Sequence, residues 1–169
     1  MRIRQFLLGI LLVVSLLVNP LSVMAQESNE APIYKGNTQY MTNDTLEIST
    51  AELYLVAQTM THEAKYEGED GLAAVGEVIY NRYHSDLFPD TIEEILFQKN
   101  QFVGAEELKQ INPTDESLII ARRIFSGGDR ILYDDNIYFF RNAKGSTEDW
   151  GKYKYETTIG HHQFYSYNP

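Results

Sequence analysis

The stretch "MTHEAKYEGEDG", residues 60–71, sets Glu63, Glu67, Glu69 and Asp70 beside His62 directly after an apolar run. Acids at this density could transfer protons, could share a metal with a histidine, or could simply face water. The metal reading needs a second histidine four positions after the first, and residue 66 is Tyr, so the zinc-protease pattern fails. Glu63 is placed differently from its neighbours. On a helix the apolar residues Leu53, Val56, Ala57, Met60 and Ala64 fill an arc from about −40° to +60° around Met60, and Glu63 falls at about −60°. It therefore stands at the border of the buried face, in the last turn of its helix. Partial desolvation and the negative end of the helix dipole both favour a protonated carboxyl, which is what a general acid requires. Glu67, Glu69 and Asp70 read as loop and helix-start acids, with Glu67 available as a second carboxylate or a positioning group.

Ten of the last forty residues are Phe, Tyr or Trp. Half or more must fill a core, but the polar-tipped Tyr138 and Trp150, next to an acidic loop, suit a sugar site in which flat rings stack on pyranoses. His161 and His162 are adjacent, and neighbours on a strand point to opposite faces, so a shared metal ion is not expected. His162 alone is read as lining a cleft.

The elements that must carry these groups are legible in outline. Ser49-Thr50-Ala51-Glu52 forms a capping box, so the first helix should begin there. A second helix should start near Asp70 and bury Leu72, Val75, Gly76, Ile79 and Tyr83. A short third helix follows an Asp90–Glu93 box, with Ile92, Ile95 and Leu96 inward. A fourth opens at Asn112-Pro113 and closes at Gly127-Gly128. Beyond residue 130, "RILYDDNIYFFRN" and "TIGHHQFYSYN" are aromatic and β-prone, separated by "AKGSTEDWGKYKYE". The fold class expected is α+β, mostly helical, with a small C-terminal hairpin or two-stranded sheet.

Residues 1–25 have the parts of an export signal: Arg2 and Arg4, an apolar run from Phe6 to Val18, and Val23-Met24-Ala25 before the expected cut. Residues 26–48 read as a polar leader and 49–169 as the domain. Loss of Arg2 and Arg4 takes the formal charge from −10 to −12, which argues against nucleic acid as a partner. The chain has no cysteine, which excludes thiol catalysis and cysteine–zinc sites. A secreted monomer is expected, without a membrane span once the signal is removed.

"EAKYEGEDGLAAVGEVIYNR" (63–82) resembles the signature of the SleB/CwlJ-type cell wall hydrolases, the family of spore cortex-lytic catalytic domains. "FP" at 88–89, "QF" at 101–102, "IYFF" at 137–140, Trp150 and "IGHHQF" at 159–164 keep the family's order. The resemblance implies a lysozyme-like domain that cleaves peptidoglycan glycan strands, with Glu63 as catalytic acid, Glu67 on the second glutamate, and no metal or organic cofactor. Gln101, Phe102, Tyr138, Trp150 and His162 become the expected substrate-binding residues. Tyr66 stands where the signature carries glycine. The reading is an exported glycosidase of the wall or spore cortex acting as a lytic transglycosylase. A two-carboxylate muramidase and a non-catalytic wall-binding or germination-assembly protein are the alternatives.

Overall fold

The computed structural model describes residues 46–102, 104–143, 149 and 151–167. The signal segment 1–25, most of the leader and Trp150 lie outside these residues. Helix α1 spans Thr50–Ala64 and begins as its sequence dictates: Ser49 accepts from the Glu52 amide, and the Glu52 carboxylate reaches back to the Ser49 amide at 3.0 Å. All five residues of its apolar stripe are buried. Just before the cap, Ile48 is also buried and the Glu47 amide donates to the Phe125 carbonyl, so the ordered domain reaches back past Ser49.

Helix α2 spans Gly68–Tyr83, two residues longer at its start than Asp70 implied. Gly68 takes a left-handed φ of 72° at the joint with α1, a conformation that suits glycine, and Asp70 sits in the first helical turn instead of capping it. Tyr66 keeps a negative φ, so the backbone at the departure from the signature does not require glycine. Every residue from Gly71 to Ile79 is buried. A helix buried on all sides must have partners on all sides. Leu72, Val75 and Ile79 pack toward α1 and the later helices, whereas Ala74 and Val78 pack with Leu132, Ile137 and Phe164 of the β region.

Three shorter helices complete the α layer: α3 (Ile92–Leu96), α4 (Ala105–Leu108) and α5 (Asp115–Ile124). Thr91 caps α3 and Thr114 caps α5, in place of Asp90 and Asn112, because each threonine hydroxyl accepts from the amide three residues on. Four residues are too few to show periodicity, and the sequence does not predict α4. It is fastened from α1: buried Gln58 donates through Nε2 to the carbonyls of Leu108 and Ile111.

The sheet has three antiparallel strands in the order β1 (Ile137–Asn142), β3 (His162–Tyr167), β2 (Tyr153–Ile159), one strand more than expected. "TIGHHQFYSYN" is not one strand but a hairpin. Gly160 turns it at a φ of 56°, and β2 extends back into the polar "YKYE". The central strand β3 is buried from His162 to Ser166. One of its faces lies on α2 through Phe164; the other presents Gln163 and Tyr165 beside Arg141 and Tyr155.

Candidate active site

The last turn of α1, the joint to α2 and the β2–β3 turn converge on the acids of residues 60–71. Glu63 is half-buried between buried Ala64 and exposed His62, at the rim of the apolar face. Glu67 is engaged from the sheet. Its Oε2 accepts from the His161 backbone amide at 2.7 Å, and His161 Nδ1 lies 3.1 Å from both carboxylate oxygens. A β-carbon on Gly160 would overlap Glu67 Oε2, and one on Gly71 would overlap the Glu67 side chain. Two glycines thus allow this close seating. The His161 amide, followed by the His161 side chain, holds the Glu67 carboxyl below its usual range, so Glu67 is a carboxylate at neutral pH.

His162 faces the other way, as adjacent strand residues do. It is 6% exposed, sits edge-on to Phe140 at 5.2 Å, and has no hydrogen-bond partner for Nδ1. Burial pushes its pKa down, which keeps the ring neutral. Tyr138 is also buried: its ring packs on Phe88 and its hydroxyl donates to Asn136 Oδ1, leaving little ring to stack on a sugar.

Gln101 and Phe102 belong to a second part of the molecule's surface. Segment 98–102 faces the outer edge of β1 across two hollows, of about 120 and 320 Å³, and Gln101 and Phe139 line both. Phe102 packs on Phe140 at 6.1 Å, and Phe140 in turn touches His162, so a run of rings joins this groove to the acid end. The residue at its floor is Arg82, which was not singled out as a site residue from the sequence. Arg82 Nε donates to the Tyr138 carbonyl and Nη2 to Gln101 Oε1, and Phe88, Phe102 and Phe139 surround the guanidinium at 4.9–5.2 Å. Its signal was available: Arg82 follows Val75, Val78 and Ile79 at spacings of seven, four and three, so an arginine occupies an apolar-stripe position.

A mostly helical α+β domain with a half-buried glutamate closing its first helix has the lysozyme-like architecture of wall-lytic catalytic domains. The chain belongs to the cell wall hydrolase family, whose sequence profile matches residues 66–165. Glu63 lies three residues before that match. The spore cortex-lytic enzyme of Oceanobacillus iheyensis is 29% identical over 103 residues, 60% of this chain and 36% of that protein. That of Bacillus subtilis is 29% identical over 120 residues, 69% of this chain and 38% of its own length. The chain thus spans little more than a third of these curated relatives. Among solved structures, the catalytic domain of Bacillus cereus SleB superposes with a TM-score of 0.61 at 25% identity, covering 74% of this chain and 97% of that domain. The catalytic domain of the germination-specific lytic transglycosylase SleB of Bacillus anthracis gives 0.60 at 24% identity, covering 71% and 98%.

Proposed function

We propose that this chain is an exported peptidoglycan glycosidase that cuts the bond between N-acetylmuramic acid and N-acetylglucosamine as a lytic transglycosylase. Family membership and the spore cortex-lytic relatives supply the substrate class. The observation that carries the mechanism is the commitment of Glu67: both its oxygens are held by His161, and its pKa is lowered. A group so engaged suits positioning better than proton transfer, and the half-buried place of Glu63 at the border of the apolar face supports it as the working acid.

Glu63 gives its proton to the glycosidic oxygen as the bond to the muramoyl C1 breaks, and the departing N-acetylglucosamine keeps a free 4-hydroxyl. The Glu63 carboxylate then takes the proton of the muramoyl C6 hydroxyl. That oxygen bonds to C1, closing a 1,6-anhydro ring, and the acid is restored without water. A hydrolase would instead use a second carboxylate, to activate water or to attack C1 itself.

Glu63→Gln keeps size and loses the proton, so release of soluble fragments from purified sacculi should fall by about 10² to 10⁴-fold. Glu67→Gln should slow release yet still give anhydro-ended products, one water lighter than reducing ends by mass. Reducing ends from the wild type, with Glu67→Gln as inactive as Glu63→Gln, would establish the two-carboxylate hydrolase in its place. Parallel digestion of cortex and vegetative wall identifies the natural wall type.

A further inference from the structure

Arg82 is a buried cation with no counter-ion among the described residues. It is 2% exposed, and among the described residues no carboxylate pairs with it; a carbonyl, an amide oxygen and three phenyl rings are its partners. Removing a guanidinium from water is strongly unfavourable even after relaxation, which rings and neutral dipoles offset only in part. Burial draws its pKa down to about 10, so it remains charged at neutral pH. Nη1 is buried with no hydrogen-bond partner.

Among the described residues, the two hollows above it are lined by no acid. Asn100, Gln101, Phe139, Phe140 and Tyr153 line the smaller with Arg82, and Lys99 joins the rim of the larger. In a chain with 24 acidic and 14 basic residues, the described residues that line the two hollows include no acid, and their charged groups are Arg82 and Lys99. Donor geometry narrows the ligand further. Nε is spent on the fixed backbone of β1, whereas the end-on pair has one idle nitrogen, Nη1, and one held only by the side chain of exposed Gln101. A planar carboxylate that displaces the Gln101 oxygen would take Nη2, and it would gain Nη1, and with it the two-pronged contact that guanidinium favours, once the Gln101 side chain moves aside to uncover that buried nitrogen.

We propose that the Arg82 groove is a subsite for a carboxylate carried by the glycan substrate, either the lactyl group of muramic acid or its attached peptide. This rests on the glycosidase reading above and extends it. Arg82 lies fifteen residues along α2 from Glu67, about 22 Å away, so the subsite would grip a part of the strand remote from the bond that is cut. Binding energy there would select muramoyl-containing strands over uncharged chitin-like ones.

The test uses the intact wild-type protein with ¹⁵N-labelled arginine, following the Nε–H resonance of Arg82 by NMR. The probes are N-acetylmuramic acid, its methyl ester, and N-acetylmuramoyl-L-alanyl-D-isoglutamine. A saturable shift with the free acid and none with the ester assigns the lactyl carboxylate; a shift with the dipeptide alone assigns the peptide carboxylate. Equal responses to acid and ester, or no saturable response to any probe, overturn the subsite. Sacculus cleavage by the same sample keeps the two readings apart. Cleavage without a carboxylate-dependent shift removes only the subsite, and carboxylate-dependent binding without cleavage removes only the glycosidase.

Discussion

Glu67 and Glu77 show how surroundings set the behaviour of one residue type. Glu77 is fully buried in the middle of α2 and accepts from the amides of Ile131 and Leu132, both at 2.7 Å. Desolvation still outweighs those bonds and raises its pKa. Glu67 keeps 12% of its side chain exposed, and there the His161 bonds win and the pKa falls. The two carboxyls therefore respond to acid in opposite senses. A depressed folded pKa means that the Glu67 contribution to stability is present above its unfolded value near 4.5 and is lost as pH falls through the folded value. In Glu67→Gln the charge is lost and one oxygen is left to accept from His161, so the variant should be less stable than wild type by about 1–3 kcal/mol at pH 7. The gap should narrow progressively as pH drops below 4.5. Urea unfolding of both proteins at pH 7 and pH 3 measures it, and because Glu77 is common to both, their difference isolates Glu67. A gap of the same size at both pH values would mean that the Glu67 charge does not tie the turn.

The β2–β3 hairpin is the element through which Glu67 acts, and Gly160 is its most constrained position. Its φ of 56° is unfavourable for other residues, and the space for a β-carbon is taken by Glu67 Oε2. Gly160→Ala should therefore lower stability by about 1–3 kcal/mol and detach His161 from Glu67, with the loss visible as a lowered denaturation midpoint and weaker protection of the His161 amide in hydrogen exchange. An unchanged midpoint with full protection would show that the turn and the acid are independent. The same hairpin shows why elements differed in legibility. The capping box of α1 and its apolar period are plain because cap, stripe and charge all lie between Ser49 and Ala64. Strand β2 is hidden because it is an edge strand whose alternation of Tyr153 and Tyr155 with Lys154 and Glu156 breaks at a register shift between Tyr155 and Thr157 and runs on through two threonines. The threonine caps of α3 and α5 lost to nearby Asp and Asn on propensity alone, since cap rank does not say which backbone angle each residue takes.

Across the whole molecule, the contacts least visible in the sequence are those that join its two ends. Glu77 meets residues 131–132, Arg82 meets Tyr138, Glu67 meets His161, and in each case the partner lies at least fifty positions away. Glu63 was legible because its placement follows from one helix; Arg82 was not, because an arginine on an apolar stripe makes sense only once β1 and segment 98–102 close over it. The N-terminal boundary belongs to the same class. Periodicity places the start at Ser49, but Ile48 is 6% exposed, Leu46 packs on the core, and the Glu47 amide donates to the Phe125 carbonyl at 3.1 Å. Truncation tolerance depends on such burial and bonding. A protein beginning at Leu46 should fold with the stability of longer forms. One beginning at Ser49 loses the burial of Ile48, about 2 kcal/mol, a backbone hydrogen bond, about 1 kcal/mol, and the partial burial of Leu46 in addition. The Glu47–His84 pair, more than a third exposed on both sides, adds little. The sum corresponds to a melting temperature lower by roughly 10 °C for a domain of this size. Thermal melts of the two truncations followed by circular dichroism decide between them: a separation of that order places the boundary at or before Leu46, and coincident melts place it at the Ser49 cap.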